Sequence, residues 1–119
     1  MRTIKFRGKS CSNGDWFYGN LYDYDKDGRT HICGLERGCL NIDPNTVGQF
    51  TGLLDKNGKE IYEGDIIKIE EEGVVLKPKV VDFSNGMFGT REWSLAYYGE
   101  DIIEVIGNIH DNPELMKGK

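Results

Sequence analysis

The chain has little of what most enzymes and exported proteins carry. Its 119 residues include only two histidines, three cysteines and three prolines. The cysteines, Cys11, Cys33 and Cys39, are odd in number and form no Cys-x-x-Cys, which argues against a disulfide framework. Apolar runs are only a few residues long, short of what a membrane span requires. The opening Met1-Arg2-Thr3-Ile4-Lys5-Phe6 lacks an apolar stretch of signal-peptide length, so the expected location is the cytoplasm. Gly-x-Gly-x-x-Gly and Gly-Lys-Ser/Thr are both missing, which removes the common phosphate cradles. Basic residues are outnumbered, 15 against 20 acids, for a net charge of -5. That balance disfavours a general polyanion binder.

What is abundant is glycine. Sixteen are spread from Gly8 to Gly118, about twice ordinary usage, and they punctuate short β-prone runs. Asn13-Gly14, Asp27-Gly28, Asn57-Gly58 and Asn85-Gly86 accept positive φ and mark tight turns. Between them, period-two segments predict strands at Thr3 to Arg7, Ile66 to Ile69, Val80 to Phe83, Met87 to Gly89, Trp93 to Tyr97 and Glu104 to Ile109. Val47 to Ile69 reads as a hairpin and sheet segment. Val74, Val75 and Leu76 beside Pro78 read as an edge or interrupted strand. Leu35 to Asp43 shows no clear period and is expected to be loop with at most a short helix. At the C-terminus Asn112 can cap, Pro113 suits the first helical position and Glu114 favours the positive helix end, predicting one or two helical turns. The fold class expected is mainly β. The Gly64-Asp65 turn followed by Ile66, Ile67 and Ile69 resembles the entry to the first long strand of an SH3-like barrel, an analogy of fold and not of function.

A family resemblance emerges at Thr46-Val47-Gly48-Gln49-Phe50-Thr51-Gly52-Leu53-Leu54-Asp55-Lys56-Asn57-Gly58-Lys59-Glu60-Ile61-Tyr62-Glu63-Gly64-Asp65-Ile66-Ile67. This run resembles the hallmark of the YopX family of phage and prophage proteins. Ile4 to Gly8, Trp16 to Gly19, Val105 to Ile109 and Asn112 to Leu115 extend the likeness to both termini. The resemblance implies two β-rich parts. Here these are expected as an N-terminal β-rich (α+β) lobe at 1-45, an SH3-like barrel at 46-112 and a short helical tail at 113-119. It implies a phage or prophage protein working in the bacterial host cell. It brings no agreed catalytic or binding residue and no cofactor.

The residues themselves suggest few chemistries. His31, Cys33 and Cys39, with Cys11, offer zinc-type donors, but without the close Cys pair of a structural site, so no metal is expected. His31 and His110 sit in no nucleophile motif. Asp23, Asp25, Asp27 and Gly28 resemble the start of a calcium loop, yet the twelfth position is Gly34 where a bidentate Glu is required. Glu70-Glu71-Glu72 and Glu100-Asp101 read as solvated acids. No catalytic constellation is visible, and the expected role is non-enzymatic, through protein-protein interaction or self-assembly with a homo-oligomer or a phage or host protein as partner. Thirteen aromatics, adjacent Tyr97 and Tyr98 among them, favour such an interface. The alternative is nucleic acid. Lys5, Arg7 and Lys9 share one strand face, and Trp16, Phe17 and Tyr18 could stack on bases. Lysines on an edge strand equally guard against unwanted pairing.

Overall fold

The computed structural model of the protein describes residues 4–24, 29–34, 38–84, 87–90, 95 and 100–116. The Asp27-Gly28 and Asn85-Gly86 turns, the Tyr97-Tyr98 pair and all of the expected Trp93 to Tyr97 strand except Leu95 lie outside the described residues, and Leu95 itself is helical, not extended. The chain divides into two compact units, Met1–Phe50 and Thr51–Lys119.

The first unit is an antiparallel sheet. Strands β1 (Phe6–Lys9), β2 (Trp16–Tyr24), β3 (Arg29–Gly34), β4 (Gly38–Ile42) and the start of β5 (Gly48–Leu54) lie in the order β4-β3-β2-β1-β5. Asn13-Gly14 makes the β1–β2 turn, where the Gly14 N–H donates to the Ser10 carbonyl at 2.9 Å and Gly14 has φ 76°. Alternation then sorts the side chains onto two faces. On the inner face Phe17, Ile32 and Ile42 are buried, with Phe6, Leu21, Leu40 and Val47 packed against them. Burying such a side chain stabilises by about 1.5–3 kcal/mol. Gly8 belongs to this face because a Cβ there would collide with Ile42 Cγ2. After β4, Asp43 caps a 3₁₀ turn at Pro44–Thr46 by accepting from the Asn45 N–H at 3.0 Å. Thr46 Oγ1 accepts from the Lys9 N–H at 2.8 Å and ties that turn to β1.

Strand β5 runs on into the second unit, which adds β6 (Glu60–Tyr62), β7 (Asp65–Glu71), β8 (Val74–Val75), β9 (Lys79–Val80), β10 (Asp82–Ser84), β11 (Met87–Gly89) and β12 (Ile103–Asn108). The sheet order is β12-β7-β8, with β9 also paired to β7, while β10 and β11 form a separate hairpin. The core gathers Ile61, Ile67, Ile69, Val81, Leu95, Ile103 and Val105. Lys68, between two of these on β7, is half-buried and holds Glu70 at 3.6 Å.

Two motif turns organise this unit. In the β5–β6 turn Gly58 has φ 82°, and buried Asp55 accepts from the N–H groups of Asn57 (2.8 Å), Lys59 (2.9 Å) and Val105 (2.9 Å). One carboxylate therefore closes the local hairpin and holds β12, distant in sequence. At Glu63-Gly64, the Gly64 N–H donates to the Val81 carbonyl, the Val81 N–H to the Asp65 carbonyl and the Ile109 N–H to the Gly64 carbonyl, at 2.8, 2.9 and 2.9 Å. The Asp65 side chain accepts from the Tyr62 N–H at 2.8 Å.

Three expectations need correction. Gly38–Ile42 is strand β4, not loop: Leu40 and Ile42 point inward while Cys39 and Asn41 are exposed. That alternation is hidden in the sequence by Gly38 and by a cysteine in a polar position. Among the described residues there is no C-terminal α-helix. Pro113–Met116 forms one 3₁₀ turn, in which the Leu115 N–H donates to the Asn112 carbonyl at 3.1 Å. Asn112 Oδ1 is turned back to accept from the Asn108 N–H at 3.2 Å, so it caps the end of β12 and not a helix. Among the described residues the first unit has only the Pro44–Thr46 turn besides strands, and the sheets are open, with no closed barrel.

Candidate functional site

The outer face of the N-terminal sheet carries every residue singled out for binding except Phe17. Pairing in β1–β2 sets Arg7 opposite Tyr18 and Lys9 opposite Trp16, so these four share one face. Lys5 joins them by alternation along the chain, its carbonyl accepting from the Phe50 N–H at 2.9 Å. Phe17 falls on the other face, opposite Gly8, and is buried in the core.

The cations lie against aromatic rings. The Arg7 guanidinium is 4.6 Å from the Trp16 ring centre and the Lys9 ammonium 5.5 Å from the same ring. Lys5 stands 5.5 Å from the centre of Phe50. Each such contact is worth about 0.5–2 kcal/mol, more where water is excluded. Arg7 is only 5 % exposed, so its charge serves the sheet more than the solvent. The tyrosines behave differently: Tyr18 is 48 % exposed and Tyr22 47 %.

The same face continues across β3 and β4. Tyr22 pairs with His31 and Asn20 with Cys33, and these in turn lie opposite Asn41 and Cys39. The result is a patch of Trp16, Tyr18, Asn20, Tyr22, His31 and Asn41 on hydrogen-bonded strands. Sequence reading stopped at Tyr18 and missed the second half of β2. The signal was available, because residues 16, 18, 20 and 22 are polar or amphipathic while Phe17 and Leu21 are apolar.

Cysteine usage corrects a second expectation. Cys33 and Cys39 are joined in a disulfide with Cα atoms 4.0 Å apart. Counting cysteines cannot foresee it, because what brings them together is their direct opposition in the β3–β4 register. Cys11 is a free, exposed thiol whose backbone N–H donates to the Asn41 carbonyl at 2.9 Å. Cys11, His31 and Cys39 border one shallow hollow with Ser12, Leu40 and Asn41. Among the described residues no group of three His, Cys, Asp or Glu could hold a metal ion. His110 lies in the turn after β12, its N–H donating to Asn108 Oδ1 at 3.0 Å, and belongs to the second unit. Asp25 and Asp27 lie outside the described residues. Among the described residues no helix is long and apolar enough to cross a membrane.

A carboxyl held away from its ordinary range lies in the second unit. Burial pushes the Asp55 carboxyl upward, but the N–H groups of Val105, Lys59 and Asn57, with the Lys59 charge, outweigh it and hold the group below its ordinary range. This acid organises a turn. Its role is structural.

Comparison with known proteins places the chain in one group. A family model described as YopX protein matches residues 5–117. Among solved structures, the crystal structure of protein EF1440 from Enterococcus faecalis is similar, with a TM-score of 0.65 and 26% identity, covering 98% of this chain and 100% of that one. No curated protein is significantly similar to it.

Proposed function

The chain belongs to the YopX family, and from that premise we propose that it is a non-enzymatic accessory protein that docks another protein on the outer face of its N-terminal sheet. The observation that carries this reading is the exposure of Tyr18 and Tyr22 on a single strand, flanked by Trp16 and separated by exposed Asn20. Tyrosine and tryptophan on a stiff support contribute large contact area at low entropic cost, which is why they dominate protein interfaces. The family resemblance supports a phage or prophage origin and action in the bacterial cytoplasm. The run of short strands from β6 to β12 supports reading the second unit as SH3-like.

Nucleic acid is the second reading, favoured by Lys9 against Trp16 and by Lys5 on the same face. It ranks lower because Arg7 is buried against Trp16 and the chain carries a net charge of -5. One experiment separates the two. Affinity capture from host lysate is compared for the wild type, Tyr18→Ala with Tyr22→Ala, and Lys5→Ala with Lys9→Ala, alongside titration of labelled single-stranded DNA at two salt concentrations. The protein reading expects a defined partner protein whose affinity falls roughly 30-fold on removing the tyrosines. Salt-sensitive DNA binding that depends on the lysines, with no tyrosine-dependent partner, would overturn it.

A further inference from the structure

The second unit ends one side of its sheet on a short apolar strand. Val74, Val75 and Leu76 are 61, 55 and 40 % exposed. Strand β8 pairs with β7 through Glu71↔Val74 and Glu70↔Val75, and no strand among the described residues pairs with its other edge. Natural sheets usually blunt such an edge with charge or proline. Here the apolar triplet lies between Glu70-Glu71-Glu72 and Lys77-Pro78-Lys79.

The backbone phase of this edge is informative. The Leu76 N–H donates to the Ile69 carbonyl at 2.9 Å, toward β7. Peptide groups of successive residues alternate sides in an antiparallel ladder, so Val75 directs its N–H and C=O outward. Pairing with β7 resumes at β9 one residue out of step, with Lys79 opposite Ile67, so the regular edge of β8 ends at Leu76, before Pro78. At the hairpin tip Glu72 (φ 52°) and Gly73 (φ 81°) both adopt positive φ, which matches a two-residue turn and fixes the acids at that end.

We propose that β8 is a self-pairing edge, joining two copies of this chain in antiparallel fashion about a two-fold axis at Val75. Charge complementarity selects a second copy as the occupant. Around Val75 the sequence is acidic on one side and basic on the other, so an antiparallel partner sets Lys77 of the second copy opposite Gly73 at the hairpin tip, next to Glu72 of the first, and the reverse. Among the described residues no ion pair engages Glu72 or Lys77 within the chain. Val75 then exchanges both backbone hydrogen bonds with Val75 of the second copy, and Val74 meets Leu76. The contact is isologous and closes at two copies, so it does not propagate into a fibre. A second copy added at an open edge uses main-chain bonds for affinity and the flanking charges for register. The inference stands independently of the tyrosine face, which lies in the other unit.

Sedimentation velocity across a concentration series tests it, on the full chain. The wild type is expected to form a dimer. Glu72→Lys alone and Lys77→Glu alone each bring like charges close together at both ends of the contact, and each raises the dissociation constant about tenfold or more. An equimolar mixture of the two variants restores the dimer as a heterodimer. Val75→Pro removes the outward donor without touching a bond to β7, and yields a monomer. A wild type that stays monomeric throughout, or a dimer unaffected by the charge variants, overturns the proposal. Both charge variants are exposed, so their unchanged circular dichroism shows that a monomer is not simply misfolded.

Discussion

Asp55 shows how one side chain can hold two levels of structure. Its carboxylate accepts from two N–H groups of its own turn and from Val105, 50 residues away. A buried N–H left without an acceptor costs about 1–3 kcal/mol, so Asp55→Ala should lower stability by about 3 kcal/mol or more. Because its folded pKa lies below the value of an unfolded aspartate, the group stabilises the fold above about pH 4 and loses that contribution as pH falls through the folded pKa. Urea unfolding at neutral and acid pH checks both points: Asp55→Asn should lose about 1–2 kcal/mol at pH 7 and show a flatter decline in acid. An equally steep acid limb in Asp55→Asn would place the acid sensitivity elsewhere.

The two glycines of the terminal motifs act at the scale of elements. Neither Gly8 nor Gly19 is in a turn, although glycine abundance reads in the sequence as a sign of turns. Each lets something approach. Gly8 makes room for Ile42, and Gly19 lies directly against the carbonyl of Cys33. Backbone cannot swing aside as a side-chain tip can, so Gly19→Ala forces β2 and β3 apart. The expected result is a loss of about 2–4 kcal/mol with faster amide exchange in β3, measured by hydrogen exchange and denaturant titration. Wild-type protection in β3 of Gly19→Ala would disprove the close-approach argument. The disulfide in the same region closes a loop between residues six apart in sequence and stabilises the β3–β4 hairpin by about 2 kcal/mol in the chain-entropy account.

At the scale of the molecule the two hydrophobic cores are separate clusters, one in each unit. A cavity made in one core should therefore be felt first by the strands that line it. Ile67→Ala is expected to cost about 2–5 kcal/mol and to raise amide exchange in β7 and β12 more than in β2 and β3. Uniform acceleration across both units would show that they open as one cooperative body. The exposed chemistry is divided in the same way. The Tyr18 and Tyr22 face lies in the first unit and the Val75 edge in the second, so variants at one are expected to leave the other's binding intact.

Much of this was open to reading without coordinates. Asn13-Gly14 and Asn57-Gly58 are turns because each glycine takes positive φ, 76° and 82°, without steric cost, and Ile67 and Ile69 face a core because strand alternation leaves them no other side. Lys5, Arg7 and Lys9 share a face for the same reason. Local backbone preference and period-two patterning act within a few residues, so the chain itself determines them, and the length of the central motif determined the family. Register between distant strands is another matter. It is decided by which pairing buries the most apolar surface and satisfies the most backbone groups, a property of the assembled sheet. Register joined Cys33 to Cys39, and the meeting of distant strands aimed Asp55 at Val105. The chain specified where strands form and which side of each is apolar. Only the tertiary structure decided which side chains meet.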